Sequence, residues 1–440
     1  MCSKEVNFKK LNVVGAGLAG CEAAWQAAER GISVELYDMK PKKFSPAHKS
    51  KNLCELVCSN SFKADRIDSA SGLLKEELRR MKSLIMECAD RCKVPAGGAL
   101  AVDRDKFSGM VTEKIKSHKN IRFVSEEITE IPAGVTIIAT GPLTSDLLSK
   151  KISELCGDYL SFFDAAAPIV TAESIDMSNA FFASRYGKGG GSDYLNCPLS
   201  EEDYRNFYEN LIAAERAPLH DVDVMNPKVY EGCMPVEVMA ARGFDTLRYG
   251  PMKPVGIKDP KNPEKRLFAI AQLRKEDSEG TLYNLVGFQT NLKFSEQRRV
   301  FGLIPALANV DIVRYGVMHR NTFICSPKLL SKDYSMKERP NVFFAGQITG
   351  VEGYMESVSS GLIAGINAVC KIKNESGVIL PDFTMIGALA NYISGFCGED
   401  FQPMGANFGI IPPLNPNVKD KKQRYIKFAE RSMKYFDLNL

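Results

Sequence analysis

Residues 11–39 read LNVVGAGLAGCEAAWQAAERGISVELYDM, and their succession of strand, glycine turn, helix and strand decides the fold. The apolar run from Leu11 to Val14 leads into Gly15, Gly17 and Gly20 in G-x-G-x-x-G spacing, with Ala16, Leu18 and Ala19 between them. Cys21 to Arg30 then continues as an Ala-rich helix. Each glycine has a mechanical role in a dinucleotide-binding turn. Gly15 permits the tight turn, Gly17 lets a pyrophosphate reach the backbone, and Gly20 lets helix and strand pack closely. The helix N-terminus offers free N–H groups to the phosphates. Asp38 ends the second strand, where a carboxylate accepts hydrogen bonds from a ribose and disfavours a 2′-phosphate. The pattern predicts a Rossmann-like α/β domain for FAD or NAD rather than NADP; a purely structural glycine turn is the alternative.

A chain of 440 residues, 45% hydrophobic and 25% charged, has the composition of a globular protein with room for two or more domains. No apolar run approaches the ~18 residues of a bilayer span. The nucleotide strand also begins too near the N-terminus for a cleavable signal. A cytoplasmic protein without a membrane partner is expected. The twelve cysteines are spread from Cys2 to Cys397 without a C-x-x-C pair, which fits reduced thiols better than disulfides or zinc, so no metal site is expected. A net charge of +4 does not announce a nucleic-acid partner. Its distribution says more, because Lys419, Lys421, Lys422, Arg424, Lys427, Arg431 and Lys434 face only Asp420 and Glu430 near the C-terminus. That is a basic helical surface, or simply a solvated terminal helix.

GVTIIATGP (134–142) reads as a short strand ending in a turn at Gly141. NVFFAGQITGVEGYMESVSSGLIAGINAV (341–369) gives another strand, a glycine-rich turn at Gly346 and a long helix of small and apolar residues. Such a helix N-terminus beside a flavin would stabilise its anionic reduced ring. Parts of one nucleotide site this far apart in sequence predict a discontinuous domain, residues 8–167 and 319–371. The interruption at 168–318 is a mixed α/β insertion with antiparallel strands in DYLNCPL, RLFAIAQLR and TLYNLVGFQT, and YGKGGGSDY (186–194) reads as a flexible tip. Residues 372–440 read as a helical, basic C-terminal layer.

Two cysteines stand in unusual company, Cys58 in ELVCSNSF and Cys233 in EGCMPVEVMA. A thiolate can add to C6 of a uracil ring and make C5 nucleophilic, while a second thiol or other base removes the C5 proton. An inert buried thiol is the alternative for either. Cys54 and Cys58 also form a C-x-x-x-C pair, which raises a flavin-linked dithiol as a rival. His319 in RYGVMHRNTF is one of four histidines. It is either a packed core residue or a ring that stacks on an aromatic ligand, with Arg320 and Asn321 beside it. Tyr354 has the same ambiguity between core aromatic and stacking partner.

Together GAGLAG, ELVCSNS, VPAGGALAVDR, ATGPLTS, FFDAAAPIV, YLNCP, EGCMPVEVMA, GPMKPVG, LYNLVGFQT, RYGVMHRNTF and FFAGQITGVEGYMES resemble the bacterial folate- and FAD-dependent tRNA uracil-5-methyltransferases, over about residues 8 to 410. The resemblance implies 5-methyluridine formation at position 54 in the T-loop of tRNA. Carbon would come from 5,10-methylenetetrahydrofolate, electrons from reduced FAD, and flavin reduction from NADH or NADPH. It assigns Cys58 and Cys233 as the catalytic cysteines, with Cys58 favoured as nucleophile. His319 would stack on the folate, Tyr354 would be an active-site tyrosine at the cofactor, and Gly15 to Gly20 would hold the FAD pyrophosphate. Arg242, Arg248, Lys253, Lys421 and Lys422 become candidate RNA phosphate contacts. The T-loop base must leave its stack to reach a flavin and a thiol, so base flipping is expected. The same chemistry on a large-subunit rRNA uridine is one rival. A wobble-uridine-modifying flavoprotein relative is another, disfavoured because this chain has no room for that relative's long C-terminal extension. A flavin-binding redox sensor or reductase is the reading from a different class. A monomer or weak dimer is expected.

Overall fold

The protein is described from a computed structural model over residues 10–45, 47–157, 160–218, 234–264, 266–398, 401–416 and 418–439. Strand Lys10–Val14 is the centre of a five-stranded sheet ordered Val342–Phe344, Val135–Ile138, Lys10–Val14, Ser33–Asp38, Ile121–Ser125. Every pairing in it is parallel. Leu11 and Val13 on one face and Asn12 and Val14 on the other are all buried, as a central strand covered on both faces requires. Val342–Phe344 pairs with Val135–Ile138 with Phe344 opposite Ile138, so a strand from late in the chain completes the sheet begun at residue 10.

Helices Leu18–Glu29 and Tyr354–Lys373 lie against each other backbone to backbone. A Cβ added at Gly361 would stand 2.2 Å from the Ala19 carbonyl oxygen, and one at Gly365 would stand 2.7 Å from that of Ala23. Small residues in the late helix are therefore a packing requirement, and they bring its N-terminus next to that of the first helix.

The chain leaves this body along Leu160–Ala165 and returns along Met318–Phe323, and the two strands pair antiparallel with His319 opposite Asp164. Between them lies a six-stranded antiparallel sheet ordered Phe181–Ala183, Tyr194–Leu199, Ala269–Lys275, Leu282–Leu285, Ile169–Thr171, Ile312–Arg314. Helix Glu201–Ala213 begins with a capping box between Ser200 and Asp203 and buries Tyr204, Phe207 and Leu211 at helical spacing. These side chains join Val170, Leu195, Phe288 and Phe301 in a second core, separate from that of the parallel sheet.

The glycine loop 186–194 is not a free tip. The Asp193 carboxylate accepts from the Gly97 N–H at 2.7 Å, and the Tyr194 hydroxyl donates to the Ala96 carbonyl at 3.0 Å. Its glycines serve close approach instead, since a Cβ at Gly189 would lie 2.8 Å from the Gly97 α-carbon.

Helices Met385–Gly395 and Lys421–Asn439 form the C-terminal layer and add Ile386, Leu389, Phe428 and Phe436 to the first core. Among the described residues no helix is long and apolar enough to cross a membrane.

Candidate active site

The glycine loop makes a tight turn packed closely on its neighbours. Gly15 adopts φ +102° against the backbone of Ala139, and a Cβ on Gly20 would sit 1.8 Å from the Gly15 carbonyl oxygen. Around Gly17 the space is open, with nothing within 4 Å of an added Cβ. Asp38 lines the same space, and its carboxylate accepts from the N–H groups of Ala16 at 2.8 Å and Lys40 at 2.9 Å. It braces the turn as well as facing it.

A cavity of about 410 Å³ is lined by Gly15 to Ala19, Asp38, Gly141, Gly346, Tyr354 and Cys58, among others. Gly20 lies behind it, where it packs helix on strand. Two helix N-termini border the cavity, at Gly17 and Gly353, and no side chain caps either one. Uncapped N–H groups at two such ends suit the pyrophosphate and the electron-rich reduced ring of a flavin dinucleotide. The open floor at Gly17 leaves room for the phosphates. The residues present fit FAD.

Cys58 is half-buried on a loop held from three sides. The Tyr354 hydroxyl accepts from the N–H groups of Cys58 at 2.9 Å and Ser59 at 3.2 Å. Arg104 donates to the carbonyls of Leu56 and Val57 and pairs with Glu276 of the inserted sheet. Arg274 donates to the Ser59 hydroxyl and the Asn60 side-chain oxygen, both at 2.9 Å. The Cys58 thiol itself donates to the Ala165 carbonyl at 3.6 Å, on the strand that leaves the first body.

Burial, then the neighbouring Cys58 sulfur, pushes the Tyr354 phenol above its usual range, so it stays neutral at pH 7. Its ring meets Phe62 edge-on at 5.8 Å. Burial works against the Arg104 charge, and the Glu276 carboxylate together with the nearby Tyr354 and Cys58 more than offsets it. The loop is thus fixed by long-range polar contacts that link both cores.

The setting of Cys54 disfavours it as the second member of a dithiol. It is buried, its thiol is pushed well up by that burial and by the facing Cys21, and its N–H bonds the Ala16 carbonyl at 3.1 Å. Cys54 is a support for the glycine turn. All ten described cysteines are free thiols.

Cys233 lies outside the described residues. So does the His319 side chain, although its backbone is placed on Met318–Phe323, two residues before Asn321, which is buried and lines the cavity. Of the basic candidates, Arg248 is turned inward: its guanidinium donates to the Phe268 carbonyl at 3.1 Å, pairs with Asp245 and stacks 3.7 Å over the Phe268 ring. Arg242 lines a shallow second depression with Met239 and Tyr249, and Lys253 is half-buried. Lys421 and Lys422 are exposed at the start of the terminal helix, with the Lys421 ammonium 5.7 Å from the Tyr425 ring centre. Arg104, Arg274 and Glu276 are the residues sequence reasoning missed. Arg104 closes the block VPAGGALAVDR, but nothing local to it points at Cys58.

Residues 10–376 match the family described as Glucose inhibited division protein A. The chain is 58% identical over 426 residues to the methylenetetrahydrofolate–tRNA-(uracil-5-)-methyltransferase TrmFO of Acetivibrio thermocellus, covering 96% of this chain and 97% of the relative. It is 55% identical over 424 residues to the protein of the same name from Halalkalibacterium halodurans, again covering 96% and 97%. Among solved structures it is similar to GidA of Aquifex aeolicus, with a TM-score of 0.69 at 15% identity, over 98% of this chain and 73% of that one. That similarity speaks to the fold.

Proposed function

This chain belongs to the Glucose inhibited division protein A family, and from that premise we propose that it is a folate- and FAD-dependent tRNA uracil-5-methyltransferase acting on the T-loop uridine at position 54. The observation that carries the reading is the placement of a three-way-held cysteine, Cys58, in the wall of the same cavity as the dinucleotide loop. A reducing cofactor and a nucleophile that share one cavity suit a reaction in which a uracil is activated and then reduced.

When bound, FAD supplies electrons and 5,10-methylenetetrahydrofolate the carbon, with NADH or NADPH renewing the flavin. The chain's own part is to bind, orient and move protons. The Cys58 thiolate adds to uracil C6, the electron pair gathered at C5 bonds the incoming one-carbon unit, and Cys233 then assists by removing the C5 proton. As the product forms, the Cys58–C6 bond breaks and the thiolate is restored. Tyr354, Arg104 and Arg274 hold the Cys58 loop at a fixed attitude to the cavity, which lowers the entropy cost of reaching the base. Asn321 and His319 serve the folate side. In this reading 8–167 with 319–371 bind the flavin, 168–318 receives RNA, and Arg242, Lys253, Lys421 and Lys422 meet phosphates in the cytoplasm.

The test is transfer of labelled carbon from methylenetetrahydrofolate to unmodified tRNA with a reductant, beside a T-loop U-to-C transcript and a large-subunit rRNA fragment. Label on the wild-type tRNA alone is expected. Label on rRNA alone moves the substrate, and a yellow, reducible protein that transfers no label overturns the reading.

A further inference from the structure

Tyr186 breaks a local rule without burying its side chain. It holds φ +58° and ψ +26°, in the left-handed region that a bulky L-residue adopts only against a cost. A glycine or asparagine would occupy the same turn more cheaply. The side chain kept there is not buried, since Tyr186 is 63% exposed.

The ring is nonetheless held. The Tyr186 N–H donates to the Gly256 carbonyl at 2.7 Å, and the ring lies directly against the Gly256 backbone, where an added Cβ would be 2.7 Å from two ring carbons. Arg185 ties the two loops together by donating to the carbonyls of Val255 and Lys253 and to the Gln272 side chain. One side of the ring therefore rests on a glycine floor and the rest is open to solvent. Val255, 55% exposed, continues the apolar surface. Lys188 and Lys258 are exposed close by in sequence on the same two loops, and Lys253, on the second loop, is half-buried.

We propose that Tyr186 is a stacking platform for a nucleobase of the RNA substrate, with Lys188, Lys253 and Lys258 meeting the adjoining phosphates. A fixed aromatic face among cations is what single-stranded or looped RNA binds by stacking and charge neutralisation. The position suits a base other than the one taken into the cavity. The loop bearing Tyr186 ends at Tyr194, which pairs with Arg274, and Arg274 holds Ser59 and Asn60 next to Cys58. Platform and nucleophile thus sit at the same end of the inserted sheet. The inference rests on the RNA-substrate reading above and adds a place on the protein to it.

The experiment measures binding of unmodified tRNA to FAD-loaded wild type, Tyr186→Asn, Tyr186→Phe and Lys258→Gln, over a series of salt concentrations, together with the thermal midpoint of each. Tyr186→Asn should weaken binding about 5- to 150-fold, the range for loss of one base–aromatic stack, by the same factor at every salt concentration. Its midpoint should hold or rise, because asparagine tolerates the left-handed turn; a residue with only a structural role would lower it. Tyr186→Phe should bind within about twofold of wild type, since it retains the stacking face. Lys258→Gln should reduce the slope of log affinity against log salt by about one phosphate's share. Wild-type affinity in Tyr186→Asn, or equal losses in the Asn and Phe variants, overturns the platform alone. Absence of tRNA binding by the wild type overturns the RNA reading and the platform with it.

Discussion

Gly17 and Gly20 stand in one motif and do different work. At Gly20 an added methyl would meet the Gly15 carbonyl oxygen at 1.8 Å, while at Gly17 it would meet nothing within 4 Å. Gly20→Ala should therefore destabilise the apo-protein by about 1–3 kcal/mol or more, seen as a lower denaturation midpoint. Gly17→Ala should leave apo stability within about 0.5 kcal/mol and yet cost FAD affinity, because the methyl fills the phosphates' approach. Titration of apo-protein with FAD checks the second, and unchanged affinity would contradict the phosphate role. Cys58→Ala should abolish carbon transfer while FAD stays bound, since the loop is held through backbone atoms and neighbours that survive the change. The turn at Gly15 and the packing at Gly20 were readable in advance, because that work is local. The role of Tyr354 was not, since the choice between stacking partner and core aromatic ignored a hydroxyl that braces Cys58 and Ser59.

At the scale of elements, the C-terminal layer is tied down by one carboxyl. Glu77, on helix Ala70–Arg80, accepts from the N–H groups of Met385 at 2.7 Å and Ile386 at 2.8 Å and from the Ser432 hydroxyl at 2.6 Å. It closes the N-terminus of one helix and pins another. Burial pushes its pKa up from 4.5 to about 7 in spite of those donors. A folded-state value above the unfolded one means that the contribution is whole below about pH 4.5 and is lost as pH rises through 7. The window is worth about 3 kcal/mol at most. Thermal midpoints between pH 5 and 8 should fall less steeply in Glu77→Gln than in the wild type, and parallel profiles would refute the assignment. On the terminal helix the buried stripe Phe428, Ala429, Ser432 and Phe436 faces the core and leaves Lys421, Lys422, Lys427 and Lys434 outward. Lys421→Glu with Lys422→Glu should lower tRNA affinity and flatten its salt dependence without moving the thermal midpoint.

For the molecule as a whole, the decisive contact is between the two cores. Arg104 and Glu276 are almost wholly buried, with side chains 13% and 3% exposed, and they join the hairpin after residue 93 to the end of the inserted sheet. Arg104→Met should cost about 3–5 kcal/mol, because it strands a buried carboxylate, and Arg104→Met with Glu276→Met should recover most of it. A double-variant cost equal to the sum of the Arg104→Met and Glu276→Met costs, read by denaturant unfolding, would show that the pair is not coupled. The sequence by itself determined the parallel sheet, the glycine turn and the long small-residue helix, because an apolar strand, a G-x-G-x-x-G spacing and helical periodicity are written in neighbouring residues. It also pointed to an inserted antiparallel unit and a basic terminal helix by the same local patterns. What only the tertiary structure decided is the setting of Cys58, since its loop takes partners 48, 215 and 296 residues away, at Arg104, Arg274 and Tyr354. The docking of the glycine loop on Gly97 and the inward turn of Arg248 were decided there too. Contacts between segments so distant depend on how the two cores meet, and no local spacing encodes that.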